Sequence, residues 1–192
     1  MSRVSGAWPP VAVEQPEIHP DAPAPGSELG SHFSECFGCG NEVPGGLHLR
    51  SVIGDGHLVH SKFTVTSAHQ GAPGLAHGGL LACAFDEALG SAVGNLLRRP
   101  AVTGKLETDF RRPVPVGSTL YVAAHLDGVA GRKIYVSADG RLDAPDGPIA
   151  VSARGLFIAV NFEHFSTHGD PQAMEKLLAQ QNQNEQAWEI NP

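Results

Sequence analysis

The sequence has too few cysteines for a disulfide framework, because it carries three of them, an odd number, in 192 residues. It lacks the apolar stretch near the N-terminus that a secretory signal contains. Basic residues are also scarce: 13 Lys and Arg face 20 Asp and Glu, and the formal net charge is -7. This balance disfavours nucleic acid as a partner. Together these shortages predict a protein of the reducing cytoplasm.

Several catalytic motifs are missing as well. The phosphate-binding P-loop, the dinucleotide-binding GxGxxG context, the Ser-centred nucleophile elbow and the HExxH zinc motif do not occur in the sequence. Nucleotide-binding, Rossmann, α/β-hydrolase and zincin classes are therefore set aside. Nine of the thirteen basic residues lie between Arg98 and Arg154, so a cationic patch for a small phosphorylated ligand is still expected.

The length favours one domain with tails at both ends. Residues 1–30 hold six prolines and few periodic apolar residues, which predicts an extended arm. Residues 31–165 are predicted to form the folded domain. Residues 166–192 are predicted to form a short helical segment, from Ala173 to about Gln180, and a polar tail.

The most informative stretch is a glycine-rich turn, His77-Gly78-Gly79, that runs into an apolar helix. From Leu80 to Leu97 apolar residues recur at helical spacing and cover most of the circumference, which predicts a long buried helix. Its second turn carries Asp86 and Glu87. A carboxylate there is costly to desolvate, so it needs a partner or a chemical role.

Residues rich in β-formers flank this helix on both sides, two runs before it and four after it. The sequence therefore predicts an α+β fold in which an antiparallel sheet of about six strands wraps round one long buried helix. Gly54-Asp55-Gly56 predicts a hairpin turn, and Asp127-Gly128 predicts another turn. The predicted strands are Leu47–Ile53, His57–Thr66, Val102–Arg112, Thr119–Leu126, Arg132–Leu142 and Ile149–Phe162.

A single CxxC pair, Cys36 and Cys39, lies in a glycine-rich turn. One such pair cannot close a tetrahedral zinc site alone, although His32 or His48 could contribute a ligand. The favoured interpretation is a tight turn with two small buried side chains and no metal. Metal or redox chemistry is the alternative.

Four stretches in a fixed order resemble the hotdog-fold acyl-CoA thioesterases, in the PaaI-like branch that also includes the human thioesterase superfamily members 4 and 5. The stretches are Cys36 to Gly40 with Gly46 to Arg50, His69 to Gly74 leading to His77-Gly78-Gly79, Asp86, and Thr103 through Phe110 to Pro115. The resemblance implies a hydrolase of lipid metabolism that acts on acyl-CoA without a cofactor. It also implies a homodimer, or a tetramer, whose active site is shared between subunits.

The resemblance assigns catalytic roles to Asp86, as general base or nucleophile, and to the Gly78 amide, as donor to the oxyanion. A helix N-terminus suits the second role because its N–H groups lack intrahelical partners. His77 is expected to orient the turn rather than act as a base. Asp86 could instead pair with a cation such as Arg98, and its neighbour Glu87 is a rival for the site because the two differ by about 100° round the helix.

Thr103 matches the family position that hydrogen-bonds the water or the carboxylate. Regular strand alternation, however, places Thr103 on the opposite face from Leu106 and Phe110. Either Thr103 is supplied across a dimer interface or a bulge intervenes. An ordinary strand threonine is the third interpretation.

Further residues are candidates for substrate binding. Gly79 allows close approach to the backbone, and His69 and Gln70 either orient the substrate or close their loop. The CoA phosphates need exposed cations at the mouth of a groove. The candidates for that contact are Arg111, Arg112 and Lys105, with Arg132 and Lys133.

The sequence thus favours hydrolysis of a medium-chain, long-chain or aryl acyl-CoA to free acid and CoA. The alternative is a non-catalytic module that binds acyl-CoA as a sensor or regulator. A hydratase of the same fold is disfavoured, because no histidine follows Asp86 before Arg98.

Overall fold

The computed structural model describes residues 6–183. A long helix, α1, lies against one face of an antiparallel sheet. A short strand precedes this core in the chain, and two further helices follow it. The strands are β1 (Glu28–Leu29), β2 (Arg50–Ile53), β3 (Leu58–Thr64), β4 (Gln70–Ala72), β5 (Leu75–Ala76), β6 (Ala101–Phe110), β7 (Thr119–Ala130), β8 (Lys133–Leu142) and β9 (Ile149–Ala159). The helices are α1 (Gly78–Leu97), α2 (Glu163–His168) and α3 (Pro171–Gln183).

Seven strands form the main sheet in the order β1-β2-β3-β7-β8-β9-β6, and β4 pairs with β5 separately. The predicted α+β class and the sheet wrapped round one helix are confirmed. The strand beyond the expected six is β1, which comes from the segment predicted as an arm and pairs with β2. The predicted hairpin at residues 54–56 is also confirmed, because β2 and β3 pair with Ile53 opposite Val59.

Helix α1 begins at Gly78, two residues before the predicted start, and buries one face against the sheet. Eight of its residues are buried: Leu81, Ala84, Phe85, Ala88, Leu89, Ala92, Val93 and Leu96. They meet alternate residues of β7, such as Val122, Ala124 and Leu126. By length and composition alone, α1 is also the one helix in residues 6–183 that could cross a membrane.

The opposite face of α1 is half-buried in this single chain, although the sequence predicts burial around most of the helix. Cys83, Glu87 and Gly94 lie on this face, and Asp86 lies at its border beside β6. The difference arises because one curved sheet can enclose only one side of a helix.

The prediction of a turn at Asp127-Gly128 is wrong. Strand β7 continues to Ala130, and its register with β8 shifts between Leu126 and Gly128, as at a β-bulge. The turn falls at Gly131, whose φ of 60° suits glycine. The proline-rich arm pairs with β7 next to this bulge. Glu14 and Val129 exchange two backbone hydrogen bonds, of 2.9 and 2.8 Å.

The described part of the arm packs along the molecule. Trp8 donates its indole N–H to Asp127 Oδ2 at 2.7 Å and meets Tyr135 edge to face, with ring centroids 5.4 Å apart. The His19 amide donates to the Leu96 carbonyl at the end of α1. At the other end, α3 contains the predicted helical segment, and Lys176 bonds Glu35 at 2.6 Å. The predicted tail from residue 184 lies outside the described residues.

Candidate active site

The carboxylate of Asp86 is held by a neighbouring strand. The Thr103 hydroxyl donates to Asp86 Oδ1 at 2.8 Å within the same chain. The β6–β9 register shifts between Thr103 and Lys105, so Gly104 is the extra residue of a bulge. The bulge places Thr103 on the inner face with Leu106, against strict alternation. Of the two explanations that the sequence left open, the bulge is the one found in this chain.

Asp86 and Glu87 point to different neighbours, which fixes the rotation of α1. Asp86 faces β6 and is half-buried, and its Oδ2 has no hydrogen-bond partner among residues 6–183. Glu87 faces the loop of residues 31–40, where Oε2 lies 3.3 Å from Cys36 Sγ. No ion pair involves Asp86 within the described residues, and Arg98 lies about 18 Å away along the helix axis. The carboxylate that faces open space beside β6 is therefore Asp86.

His77 caps the N-terminus of α1. Its Nδ1 accepts the Gly79 amide at 3.0 Å, and its backbone N–H donates to the His69 carbonyl at 2.8 Å. The Gly78 amide donates to no residue in the described part of the chain. One amide at this helix end is therefore engaged by His77, and the preceding one can bind an incoming oxygen.

Phe110, at the end of β6, lies beside this open amide. Its ring is 49% exposed, and its Cζ would lie 3.5 Å from a Cβ added at Gly78. The sequence motif contains Phe110 but does not identify it as a site residue. No local signal in the sequence pairs Phe110 with Gly78, because 32 residues separate them.

His69 and Gln70 both serve the loop that leads into α1. The buried His69 ring accepts the Thr66 amide through Nδ1 at 3.1 Å. Gln70 Oε1 accepts the Gly74 amide at 2.8 Å. These contacts correspond to loop closure, one of the two interpretations that the sequence left open.

The candidate phosphate-binding cations are separated in the structure. Lys105 and Arg111 line a cleft of about 720 Å³ on the outer face of the sheet, opposite α1, with Arg154. Arg112 instead donates through Nη1 to the Ile149 carbonyl at 2.6 Å. Lys105 pairs with Glu107 at 2.5 Å.

Arg132 and Lys133 lie at the far end of the sheet. Lys133 is opposite Ile158, whereas Phe110, next to Arg111, is opposite Val151. Seven residues of strand correspond to roughly 23 Å. The structure therefore leaves Arg111 as the basic candidate whose side chain borders an open cleft near the start of α1.

The CxxC turn forms a compact polar cluster with His32, four residues before it, and with Glu87 from α1. Cys39 Sγ lies 3.1 Å from His32 Nδ1, and that nitrogen lies 3.4 Å from Glu87 Oε1. His48, the other candidate ligand from the sequence, bonds the Gly40 carbonyl instead. The sequence does not connect Glu87 with this turn, because its proximity to the turn depends on tertiary packing.

Proton affinities in this cluster are strongly perturbed. Hydrogen bonding from Cys39, and then from His32, lowers the pKa of the Cys36 thiol to about 3. Hydrogen bonds to Cys36 and Glu87 raise the pKa of the His32 imidazole to about 10. The bond to Cys36, followed by burial, raises the pKa of the Cys39 thiol. These directions describe a thiolate and an imidazolium that stabilise each other.

The two candidate catalytic groups of one chain are far apart. Gly78 and Asp86 are eight residues apart on α1, which corresponds to about 12 Å along the helix axis. An oxyanion donor and a base acting on one carbonyl must both lie about 3 Å from the reacting atoms. Gly78 and Asp86 of one chain are therefore too far apart to act on the same carbonyl, and the surroundings of each form a candidate half-site.

Comparisons with known proteins find relatives of part of this chain. Residues 73–146 match the thioesterase superfamily. The acyl-coenzyme A thioesterase THEM4 of Bos taurus is 39% identical over 98 residues, which cover 51% of this chain and 39% of that protein. The Mus musculus protein of the same name is 34% identical over 94 residues, covering 49% and 40%. This chain thus spans about two fifths of the length of these curated relatives.

Solved structures show the same fold. A thioesterase superfamily protein is 34% identical, with a TM-score of 0.53, and the match covers 57% of this chain and 53% of that one. The PaaI protein from the phenylacetic acid degradation operon of Escherichia coli is 21% identical, with a TM-score of 0.53, covering 59% and 80%. Residues 73–146 of this chain therefore match the thioesterase superfamily, and the chain has the hotdog fold of these solved structures.

Proposed function

We propose that this protein is an acyl-CoA thioesterase that hydrolyses the thioester to a free acid and CoA. The hydrogen bond from Thr103 to Asp86 Oδ1 is the observation that carries the proposal. It fixes one carboxylate oxygen and leaves the other free to accept a proton or to attack a carbonyl. The matching relatives named as acyl-coenzyme A thioesterases support the same activity.

The proposed chemistry divides between the two half-sites. The Gly78 amide donates to the thioester oxygen and stabilises the negative charge that develops on it. Asp86 takes a proton from water as the water oxygen bonds to the carbonyl carbon. When the C–S bond breaks, the departing CoA sulfur receives that proton. In the alternative route, Asp86 itself attacks the carbonyl carbon while the Gly78 amide stabilises the oxyanion. CoA leaves as the thiolate, and water then cleaves the resulting anhydride.

The complete site is proposed to form in a homodimer, with Gly78 from one chain and Asp86 from its partner. The distance of about 12 Å between the two residues on one helix supports this arrangement. Strand β6 is a ten-residue edge of the sheet, and such an edge carries unpaired backbone groups that can bind another copy. The half-buried face of α1 carries Asp86 beside this edge.

The proposed substrate is a medium-chain, long-chain or aryl acyl-CoA. Arg111 lines the outer cleft next to Phe110, which adjoins Gly78, so an anion bound there would place CoA close to the oxyanion donor. Phe110 offers an exposed apolar surface to the rest of the ligand. Three free thiols fit the proposed cytoplasmic location.

Release of free CoA thiol from a panel of acetyl-, hexanoyl-, palmitoyl- and phenylacetyl-CoA tests the proposal. We expect turnover on at least one longer-chain or aryl member that exceeds turnover on acetyl-CoA. Tight binding without turnover of every member, by protein shown to be folded and dimeric, would instead identify a non-catalytic acyl-CoA-binding module.

A further inference from the structure

Four potential metal ligands converge beside the candidate active site without belonging to it. They are His32, Cys36 and Cys39 from the loop of residues 31–40, and Glu87 from α1. One ligand atom from each residue lies within 4.8 Å of all the others. Since 51 residues separate Cys36 from Glu87, the convergence is a product of the fold.

The distances between these atoms fit a tetrahedral zinc ion. Ordinary zinc bond lengths give tetrahedron edges of about 3.4 Å from N to O and about 3.6 Å from S to N or O. The corresponding separations are 3.4 Å from His32 Nδ1 to Glu87 Oε1, 3.3 Å from Cys36 Sγ to Glu87 Oε2, and 3.1 Å from Cys39 Sγ to His32 Nδ1. These contacts use both oxygens of Glu87, and the four ligand atoms lie within 4.8 Å of one another, so coordination through one oxygen draws some of them together by about 1 Å.

The loop is shaped to present these ligands. The Gly38 amide donates to Cys36 Sγ at 3.3 Å, and the Gly40 amide donates to the Cys36 carbonyl at 2.8 Å. A Cβ added at Gly38 would lie 2.4 Å from Glu87 Oε2. Glycine at this position therefore lets the carboxylate reach the turn, and the backbone bond orients one of the sulfurs.

The chemical types of the four ligands favour zinc over other metal ions. Two thiolates, an imidazole and a carboxylate are soft and borderline ligands that suit zinc, whereas Mg²⁺ and Ca²⁺ prefer sites made of oxygen atoms. Four protein ligands fill a tetrahedral shell and leave no position for a reacting water, which is the pattern of a structural site.

We propose that His32, Cys36, Cys39 and Glu87 form a structural zinc site that fastens the loop of residues 31–40 to α1. Binding would fix Glu87 on one side of the helix. Because Asp86 precedes Glu87, the same constraint holds the rotation of α1 that turns Asp86 towards Thr103. The zinc thus positions the catalytic helix and takes no part in thioester cleavage. The rival occupant of this turn is a Cys36–Cys39 disulfide, which would consume both sulfurs.

Metal content of untagged protein, purified under reducing conditions from zinc-supplemented medium, tests the site directly. We expect about one zinc per chain by elemental analysis, and cobalt substitution should give the visible absorption of tetrahedral thiolate coordination. A zinc-binding titration against a chromophoric chelator would give the affinity of the full chain. Metal-free protein that binds no added zinc, whether its thiols are free or joined in a disulfide, would overturn the proposal.

Matched variants separate this site from other thiols and carboxylates. Cys39→Ser and Glu87→Gln should each weaken zinc binding by at least about tenfold. Cys83→Ser removes the third thiol, which lies outside the cluster, and should bind zinc as the wild-type chain does. Equal affinity in all three variants would place the metal elsewhere.

A chelator experiment covers the case in which a ligand variant fails to fold. Removing zinc from the wild-type chain should lower its melting temperature, and adding zinc back should restore it. An unchanged melting temperature would contradict the structural role. None of these readouts requires thioesterase activity, so they stand or fall separately from the proposed function.

Discussion

The Thr103 hydroxyl and the Asp86 carboxylate are joined by a 2.8 Å hydrogen bond between strand β6 and helix α1. The bond exists because Gly104 is inserted as a bulge directly after Thr103. Without the bulge, Thr103 would face away from the helix. The hydrogen bond orients the carboxylate and leaves Oδ2 accessible.

Replacing Asp86 with Asn should lower kcat by about 10² or more while KM changes little. The amide keeps the shape and can accept the Thr103 hydrogen bond, but it can neither take a proton from water nor attack a carbonyl. Steady-state kinetics and a melting curve on the same preparation test this. Asp146→Asn, in an exposed turn, is the matched control. Normal turnover by Asp86→Asn would remove Asp86 from the chemistry.

Replacing Thr103 with Val should lower kcat about tenfold, because the nearly isosteric side chain lacks the hydroxyl that orients Asp86. Thr103→Ser keeps the donor and should recover most of the activity. A comparison of kcat, KM and melting temperature for both variants is the measurement. If Val and Ser variants lose activity equally, the methyl packing of Thr103 matters rather than its hydrogen bond.

Replacing Gly78 with Pro should lower kcat by about 10² with little change in melting temperature. Proline removes the N–H and is tolerated at the first position of a helix, and His77 already has the extended backbone that a following proline requires. Gly78→Ala retains the amide and should stay active. Wild-type kcat in the proline variant would exclude the Gly78 amide as the oxyanion donor.

A mixture of Asp86→Asn and Gly78→Pro chains should regain activity that neither variant has alone. If each site combines Gly78 of one chain with Asp86 of its partner, a mixed dimer contains one intact site. After unfolding and refolding together in equal amounts, the mixture should reach about a quarter of wild-type activity. Each variant refolded alone is the control. No recovery in a mixture shown to contain mixed dimers would place both residues of a site in one chain.

Replacing Arg111 with Ala should raise KM with kcat nearly unchanged, because a distant phosphate contact is made equally in the ground and transition states. Arg112→Ala should mainly lower the melting temperature, since it removes a 2.6 Å bond to the Ile149 carbonyl. Acyl-CoA kinetics on both variants separate the two roles. The reverse pattern would move the phosphate site to Arg112.

The sequence by itself determined the elements whose signals are local. The apolar spacing from Leu80 to Leu97 specifies α1, and alternating β-rich runs specify the six longer strands of the main sheet. The motif that contains His77 and Gly78 also placed the glycine-rich turn at the start of the helix. Each of these features depends on residues that are close together in the chain.

Other features depended on tertiary packing. Asp127-Gly128 reads as a turn, but the arm pairs with Val129 there and β7 continues through a bulge. The bulge at Gly104 likewise reverses the face of Thr103. A bulge shifts the two-residue alternation of a strand by one residue. Because the neighbouring strands accommodate the extra residue, the local sequence pattern does not predict the shift.

The same reason separates Asp86 from Glu87. Both are acidic residues on one turn of a helix, and the sequence motif favours Asp86 for the site with Glu87 as its rival. The fold brings the loop of residues 31–40 against one side of α1 and strand β6 against the other, so Glu87 meets Cys36 and Asp86 meets Thr103. Helical spacing fixes the angle between the two side chains, whereas the packing of distant segments decides which of them faces each neighbour.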